Sequence, residues 1–436
     1  MEQKRGSFTG GLGFVLAAAG SAVGLGNLWR FPYLAAQYGG GIFILVYIIL
    51  ALTFGFALMT TEIAIGRKTK SSPITAYSKL DKRFGFLGII ASIVPVIILP
   101  YYCVIGGWVT KYVTTFAQGL GKPAASDGYF QAFTGDTFSP LFFFMVFLIF
   151  TTLIVMAGVE KGIENVSKFL MPLLVLLTAG IAFQNWNNRL TWGGVGRAAM
   201  GQMFYSMSLA MGIMITYGSY TKDEISLSKS VNQIEIFDTI ISLLAGLLVI
   251  PAVYIFSGEA GLKSSGAGLM FITLPKVFDQ MPKGELIGFL FFALVLFAAL
   301  TSSVSIMEAI VSAIMDKFRL SRNKSCAICI IIAIILGVPS SLGNGAWSNI
   351  TILGMDFLTF FDYISNSLLM PFVALCTAIL AGWILGPKVI TDEVTRNGEK
   401  FGRKKLYGVM IKYVAPVLLI IILITYTLSQ FGLFTM

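Results

Sequence analysis

The chain has 436 residues, of which 56% are hydrophobic and 12% charged, with a formal net charge of +10 and no histidine. Such a composition is that of a polytopic membrane protein, and it leaves too little polar sequence for a second, soluble domain. Without histidine there are no Ser-His-Asp triads, imidazole relays or His-ligated zinc or haem, so an enzyme is not expected; the positive charge is the ordinary bias of cytoplasmic loops and requires no nucleic-acid partner.

Apolar runs of about 20 residues, enough to cross a bilayer, recur at 12–36, 41–66, 86–117, 141–158, 166–185, 196–218, 231–257, 285–315, 326–342, 350–386 and 406–433. They predict an all-α fold of eleven transmembrane helices. The first is interrupted at mid-span by Gly20-Ser21-Ala22-Val23-Gly24-Leu25-Gly26-Asn27. Each glycine weakens a helix by about 1 kcal/mol relative to alanine, and backbone groups freed in hydrocarbon are tolerated only where they face protein or a polar cavity. Two readings follow. One is a binding site made of carbonyls and amides; the other is close helix packing through the small-xxx-small pair Gly20 and Gly24. Lys4 and Arg5 before this run, with Ala17-Ala18-Ala19 inside it, resemble a signal peptide. The run continues through Asn27 and Arg30, however, so an uncleaved first span is expected. Cys103, Cys326, Cys329 and Cys376 form no metal-binding pattern.

The sixth span carries a second awkward centre, Gly201-Gln202-Met203-Phe204-Tyr205-Ser206-Met207-Ser208-Leu209-Ala210-Met211-Gly212. Interruptions at matching positions of two halves point to a transport site at a repeat interface. Five spans being an odd number, the halves have opposite topology. The expected organisation is one domain, 1–436: a first five-helix repeat at 1–187, an inverted second repeat at 188–386, and a cytoplasmic loop with one extra helix at 387–436. With the N-terminus inside, 23 of the 31 basic residues fall on the cytoplasmic side and the C-terminus lies outside.

The run Gly20 to Pro32, the Gly201-Gln202 pair with its serine cluster, and Ala298-Ala299-Leu300-Thr301-Ser302-Ser303 are similar to signatures of the neurotransmitter:sodium symporter family. The resemblance extends from Arg5 to span eleven and is closest to the bacterial amino-acid branch; a twelfth span is missing, as in some bacterial members. It implies a multi-pass protein of the bacterial inner membrane that imports a hydrophobic L-amino acid, aromatic ones included, with sodium, by alternating access. Rival readings are a sodium-coupled carrier for another carboxylated solute, such as an ω-amino acid or betaine, and a non-transporting sensor or a channel. The expected partners are the amino acid and the lipid bilayer, with oligomeric state left open.

By the same resemblance there are two sodium sites. The first takes the Ala22 carbonyl, the Asn27 side chain, Ser206 and Asp238. The second takes the carbonyls of Gly20, Val23 and Ala298 with the hydroxyls of Thr301 and Ser302, although such hydroxyls also back-bond to the preceding helical turn. Asp238 is the sharpest residue on physical grounds, since an aspartate at the centre of a span costs about 2.5–3.5 kcal/mol. Either sodium keeps it ionised, or it is a protonated acid bonded to a neighbouring helix. Relatives with asparagine there use chloride at a serine like Ser242, so a fixed carboxylate predicts chloride-independent transport. Around the substrate the resemblance places Ser21, Ala22, Leu25, Gly26, Ile98, Tyr102, Tyr205, Ser206, Ser208, Met211, Ser302 and Ile306. Gly24, where amine carriers have aspartate, implies a substrate with its own carboxylate, and Ala210 replaces a common glycine. Arg30 with Asp356 matches the outer gate, beneath which Tyr102 and Tyr205 form a lid. Arg5 with Asp316, Phe8, Ser219 and Tyr220 matches the inner closure, snorkelling being the other reading of Arg5. Glu62 is expected to receive freed amides of span six. Gly162 and Pro172 are spaced to unwind the start of span five, unless Pro172 is a simple kink.

Overall fold

The computed structural model describes residues 6–38, 40–182, 199, 202–203, 206–262 and 266–430. The described residues are helical and contain no β-strand beyond one isolated bridge, Ile352 to Met355. Eight helices are long and apolar enough to cross a membrane: Gly41–Thr69, Lys82–Ala117, Phe138–Met156, Leu227–Tyr254, Gly284–Phe318, Arg322–Leu342, Phe357–Ile384 and Lys404–Leu428. A ninth span is the bent pair Gly11–Ala22 and Gly26–Gln37, whose axes meet at 48°. Helix Asn165–Ala182, entered through the π-helical turn Val159–Glu164, stands where the fifth span is expected. Helix Ile213–Tyr220 is one half of the sixth; of the other half only residues 199, 202–203 and 206–207 are described. Span five is wound from Val159 onward in this state, with Pro172 accommodated inside the helix.

The two interrupted spans meet. Span one stops being helical at Val23, which is extended at φ −83° and ψ 93°, and restarts at Leu25. Span six turns back on itself through left-handed residues at Ser208, Ala210 and Gly212, with φ of 52°, 60° and 75°. Span two runs beside the inner half of span six with backbones almost in contact. A Cβ on Gly66 would lie 2.0 Å from the Ile215 carbonyl, and one on Gly218 would lie 2.3 Å from that of Ile63. Glycine is therefore what lets these two helices pack so closely.

The loop between spans ten and eleven is drawn under the same bundle. Arg67, at the inner end of span two and 1% exposed, places Nε 2.7 Å from Glu393 Oε1. It also donates to the Ile225 carbonyl at 2.8 Å and to the Glu393 carbonyl. Asp223 pairs with Lys70 at 2.8 Å and Arg396 at 3.3 Å, and its hydrogen bond with Lys70 holds the carboxylate below its usual range. Arg403 reaches Glu235 of span seven at 2.7 Å and the Leu52 carbonyl at 3.1 Å. Its guanidinium also lies 3.6 Å from the centroid of the Phe56 ring.

Removing one partner of a buried ion pair costs about 3–5 kcal/mol, because the other charge stays buried. Arg67→Met is therefore expected to lower the thermal unfolding midpoint sharply in detergent. Adding Glu393→Leu should recover most of that loss.

Candidate binding site at the two helix breaks

The residues flanking both breaks are buried. Ser21, Ala22, Leu25, Ile98, Tyr102, Ser208, Met211, Ser302 and Ile306 are each no more than 5% exposed, and Ser206 and Asp238 are wholly enclosed. Ser208 Oγ donates to the Ser21 carbonyl at 2.8 Å, and Ser21 Oγ to Ser208 Oγ at 3.0 Å, so each break covers polar groups of the other. Tyr102 Oη accepts the Leu25 amide at 3.3 Å. Glu62, as expected, accepts the Ala210 amide at 2.8 Å. Gln202 donates to the Gly26 carbonyl at 2.8 Å, a contact for which its sequence position gave no role. Gly24 is confined: a Cβ there would sit 2.4 Å from Ser302 Oγ and 3.0 Å from Tyr102 Oη.

Two oxygen-rich groups lie beside the breaks. In the first, Asn27 Nδ2 is 2.8 Å from Asp238 Oδ1, 2.8 Å from Ser242 Oγ and 2.9 Å from Ser206 Oγ. Asn27 Oδ1 accepts the Gly24 amide at 3.1 Å. Tyr47 Oη donates to Asp238 Oδ2 at 2.6 Å and Ser206 Oγ to Oδ1 at 2.5 Å, so donors from spans one, two and six meet the carboxylate. Tyr47 was not singled out from sequence. The available signal was a lone tyrosine in the apolar run Gly41-Ile-Phe-Ile-Leu-Val-Tyr47. In the second group, Ser302 Oγ donates to the Ser21 carbonyl at 3.2 Å and the Gly20 carbonyl at 3.4 Å. Thr301 back-bonds to the Phe297 and Ala298 carbonyls, both at 3.1 Å, and packs against Gly20. Gly20, Ala298, Thr301 and Ser302 are thus brought together. Val23 is buried beside them at the break.

Among the described contacts none joins Arg30 to Asp356. Asp356 caps helix Phe357–Asp362, its carboxylate accepting the Thr359 amide at 3.0 Å and hydroxyl at 2.6 Å, as an aspartate just before a helix does. A second aspartate of span ten, Asp362, lies near the same tyrosines as Arg30. Tyr33, which Arg30 hydrogen-bonds, and Tyr101 both feel the charges of Arg30 and Asp362. Asp362 Oδ1 is 3.4 Å from Tyr101 Oη and accepts Asn366 Nδ2 at 2.6 Å. Its signal was an aspartate set inside the tenth span, six residues past the one chosen. Tyr205, of the expected lid and pocket, lies outside the described residues.

At the inner end, Arg5 is also outside the described residues. Asp316 accepts the Ser72 amide and hydroxyl at 2.7 and 2.6 Å. Phe8 is fully buried, donates its amide to the Tyr220 carbonyl at 3.1 Å, and packs on Tyr217 and Tyr220. Ser219 bonds its own helix at the Thr216 carbonyl. Glu164, missed from sequence, accepts the Thr9 amide at 2.8 Å and pairs with Lys168 at 2.6 Å, tying the start of span one to span five.

The chain matches the model of the sodium:neurotransmitter symporter family over residues 5–125 and 134–433. It is 32% identical to an uncharacterized sodium-dependent transporter of Bacillus subtilis, covering 97% of both chains. It is 26% identical to the sodium- and chloride-dependent GABA transporter 2 of Rattus norvegicus, over 90% of this chain and 75% of that one. The crystal structure of MhsT in complex with L-phenylalanine superposes with a TM-score of 0.87 at 32% identity, covering 97% of this chain and all of the other.

A non-glycine residue held left-handed costs roughly 1–2 kcal/mol. Ala210→Gly is accordingly expected to raise the thermal unfolding midpoint, while Glu62→Ala, which strands the Ala210 amide, should lower it. Equal midpoints for Ala210→Gly and the wild type would show that the turn carries no such strain.

Proposed function

Since the chain belongs to the sodium:neurotransmitter symporter family, we propose that it is a sodium-coupled importer of a hydrophobic L-amino acid, aromatic side chains included, working by alternating access without chloride. Membership alone makes it a multi-pass sodium-dependent transporter and not an enzyme. The finer reading rests chiefly on the Asp238 cluster. A fully buried aspartate that only accepts, from Asn27, Tyr47 and Ser206, has the arrangement of an anion held ready for a hard cation.

In this reading sodium and the amino acid are both cargo. The first ion is held by the Ala22 carbonyl, Asn27, Ser206 and Asp238, and the second by the carbonyls of Gly20, Val23 and Ala298 with Thr301 and Ser302. The half-helix beginning at Leu25 offers its free amides and positive dipole end to the substrate carboxylate, with Tyr102 as a further donor. Carbonyls of Ala22, Tyr205 and Ser206 and the Ser208 hydroxyl receive the ammonium. A glycine at position 24, where a Cβ would already press on Ser302 Oγ at 2.4 Å, supports a substrate that brings its own carboxylate. Ser21, Ile98, Met211 and Ile306 surround the side chain, and Met211 adapts to its shape. The bound L-phenylalanine of MhsT supports an aromatic substrate. The repeats 1–187 and 188–386 then rock around the fixed site, with the N-terminus cytoplasmic and the C-terminus outside, in a bacterial inner membrane. Arg30 and Asp362 close the outer side; Phe8, Tyr220 and the Glu164 clamp close the inner one.

Where relatives use chloride, the Asp238 carboxylate supplies the compensating negative charge. Uptake into proteoliposomes should require a sodium gradient and persist with gluconate replacing chloride. L-Phenylalanine, L-tyrosine or L-leucine should compete, and glycine betaine should not. Asp238→Asn is expected to lower uptake at least tenfold in gluconate, with partial recovery on adding chloride. Collapse of wild-type uptake without chloride would defeat the assignment of Asp238.

A further inference from the structure

Span eleven, Lys404–Leu428, is the most lipid-exposed of the long helices. Beyond its opening lysines Lys404 and Lys405, Lys412 is the sole charge in the sequence as far as Met436. Such a charge is ordinarily paired, because an ammonium near hydrocarbon has lost its water. Lys412 is not paired: among the described residues no carboxylate or other acceptor meets its Nζ.

Its surroundings are instead aromatic and open. Nζ lies 5.3 Å from the centroid of the Trp383 ring and 5.4 Å from that of Tyr413. These two rings are 58% and 53% exposed. Trp383 Nε1 donates to the Lys412 carbonyl at 2.7 Å, which fixes the indole against the lysine's own backbone. Spans ten and eleven touch at this level: a Cβ on Gly382 would lie 2.8 Å from the Ile411 carbonyl. Both helices are widened into π turns here, at Leu380–Ile384 and Met410–Val414.

The depth of the groove follows from Trp383. It is one residue from the end of span ten, just before Gly386 and Pro387, where tryptophans mark the headgroup boundary. Lys412 sits level with it, so the first two turns of span eleven lie beyond the hydrocarbon. Lys405, exposed on those turns, adds a second cation about 10 Å along the helix. The groove is thus a fixed ammonium between two amphipathic rings, open sideways to the headgroup layer and lacking an anion. Cation–π contact offers no acceptor to any of the three N–H donors. A phosphate oxygen supplies both the charge and the acceptor.

We propose that Lys412, caged by Trp383 and Tyr413 between spans ten and eleven, binds the phosphate of an anionic phospholipid. The groove has no carboxylate to receive the ammonium of a zwitterionic headgroup, so a lipid with net negative charge is favoured. This site is separate from the helix breaks and does not depend on the transport reading.

The test is native mass spectrometry of the full chain in detergent, titrated with phosphatidylglycerol or phosphatidylcholine. Lys412→Gln is expected to weaken the tightest phosphatidylglycerol adduct at least fivefold and leave phosphatidylcholine binding unchanged, while Lys412→Arg retains it. Trp383→Leu, which keeps the charge and removes the ring, should weaken the adduct about threefold and stands in if Lys412→Gln does not fold. Inorganic phosphate at 10-fold excess over the lipid should not displace it; equal competition would make this a free-anion site and overturn the lipid assignment. Equal phosphatidylglycerol binding by wild type and both weakening variants would overturn the proposal. So would a dimer that dissociates on Lys412→Gln without loss of lipid, because the occupant would then be a second copy of the chain.

Discussion

Inside a bilayer a peptide group without a hydrogen-bond partner costs several kcal/mol, so a helix opens there only if something else serves its backbone. This chain opens two, and each serves the other. The Ser21 carbonyl of span one takes hydroxyls from Ser208 of span six and Ser302 of span eight. The Ala210 amide takes Glu62 from span two, and the Leu25 amide takes Tyr102 from span three. Three further helices, spans two, three and eight, are thus recruited to hold two broken ones. That mutual service places carbonyls, amides and hydroxyls in the middle of an otherwise apolar bundle.

The same requirement explains the charge at the centre. Asp238 is costly in span seven, and the cost is met by Asn27, Tyr47 and Ser206, each from a different helix. Such a cluster is fully satisfied only when the helices keep their relative placement, which ties the chemistry of the proposed ion site to the packing of spans one, two, six and seven. Spans two and six are also joined through the Gly66 and Gly218 contacts, and Arg67 ties span two to Ile225 and Glu393. The loop between spans ten and eleven follows them through Glu393, Arg396 and Arg403.

The contacts at the two ends of the bundle are weaker than those at its centre. Toward the inside, Phe8 is wedged on Tyr217 and Tyr220, and Glu164 holds Thr9 by a backbone bond and a side-chain bond. Toward the outside, Arg30 and Asp362 lie around Tyr33 and Tyr101. Hydrogen bonds and partly wet charges of this kind contribute on the order of 1 kcal/mol each, small beside the buried core cluster.

The spans and both breaks were legible because hydropathy and glycine content act through chain-local physics: a helix weakens where its residues weaken it. Asp238 was legible too, since a carboxylate at mid-span has few reasons to be there, whereas Asn27 and Ser206 were set beside it by family resemblance. Partner choice was not. Asp356 and Asp362 are both aspartates near the head of span ten, and sequence alone favoured the first; folding turned Asp356 onto Thr359 as a helix cap and brought Asp362 to Tyr101. Tyr47 and Glu164 look like ordinary residues until helices distant in sequence, spans seven and one, arrive beside them. The sequence by itself determined where the helices run and where they fail, because those energies depend on neighbours along the chain. Only the tertiary structure decided which side chains answer the freed groups, because those energies depend on distances that exist once the helices have packed.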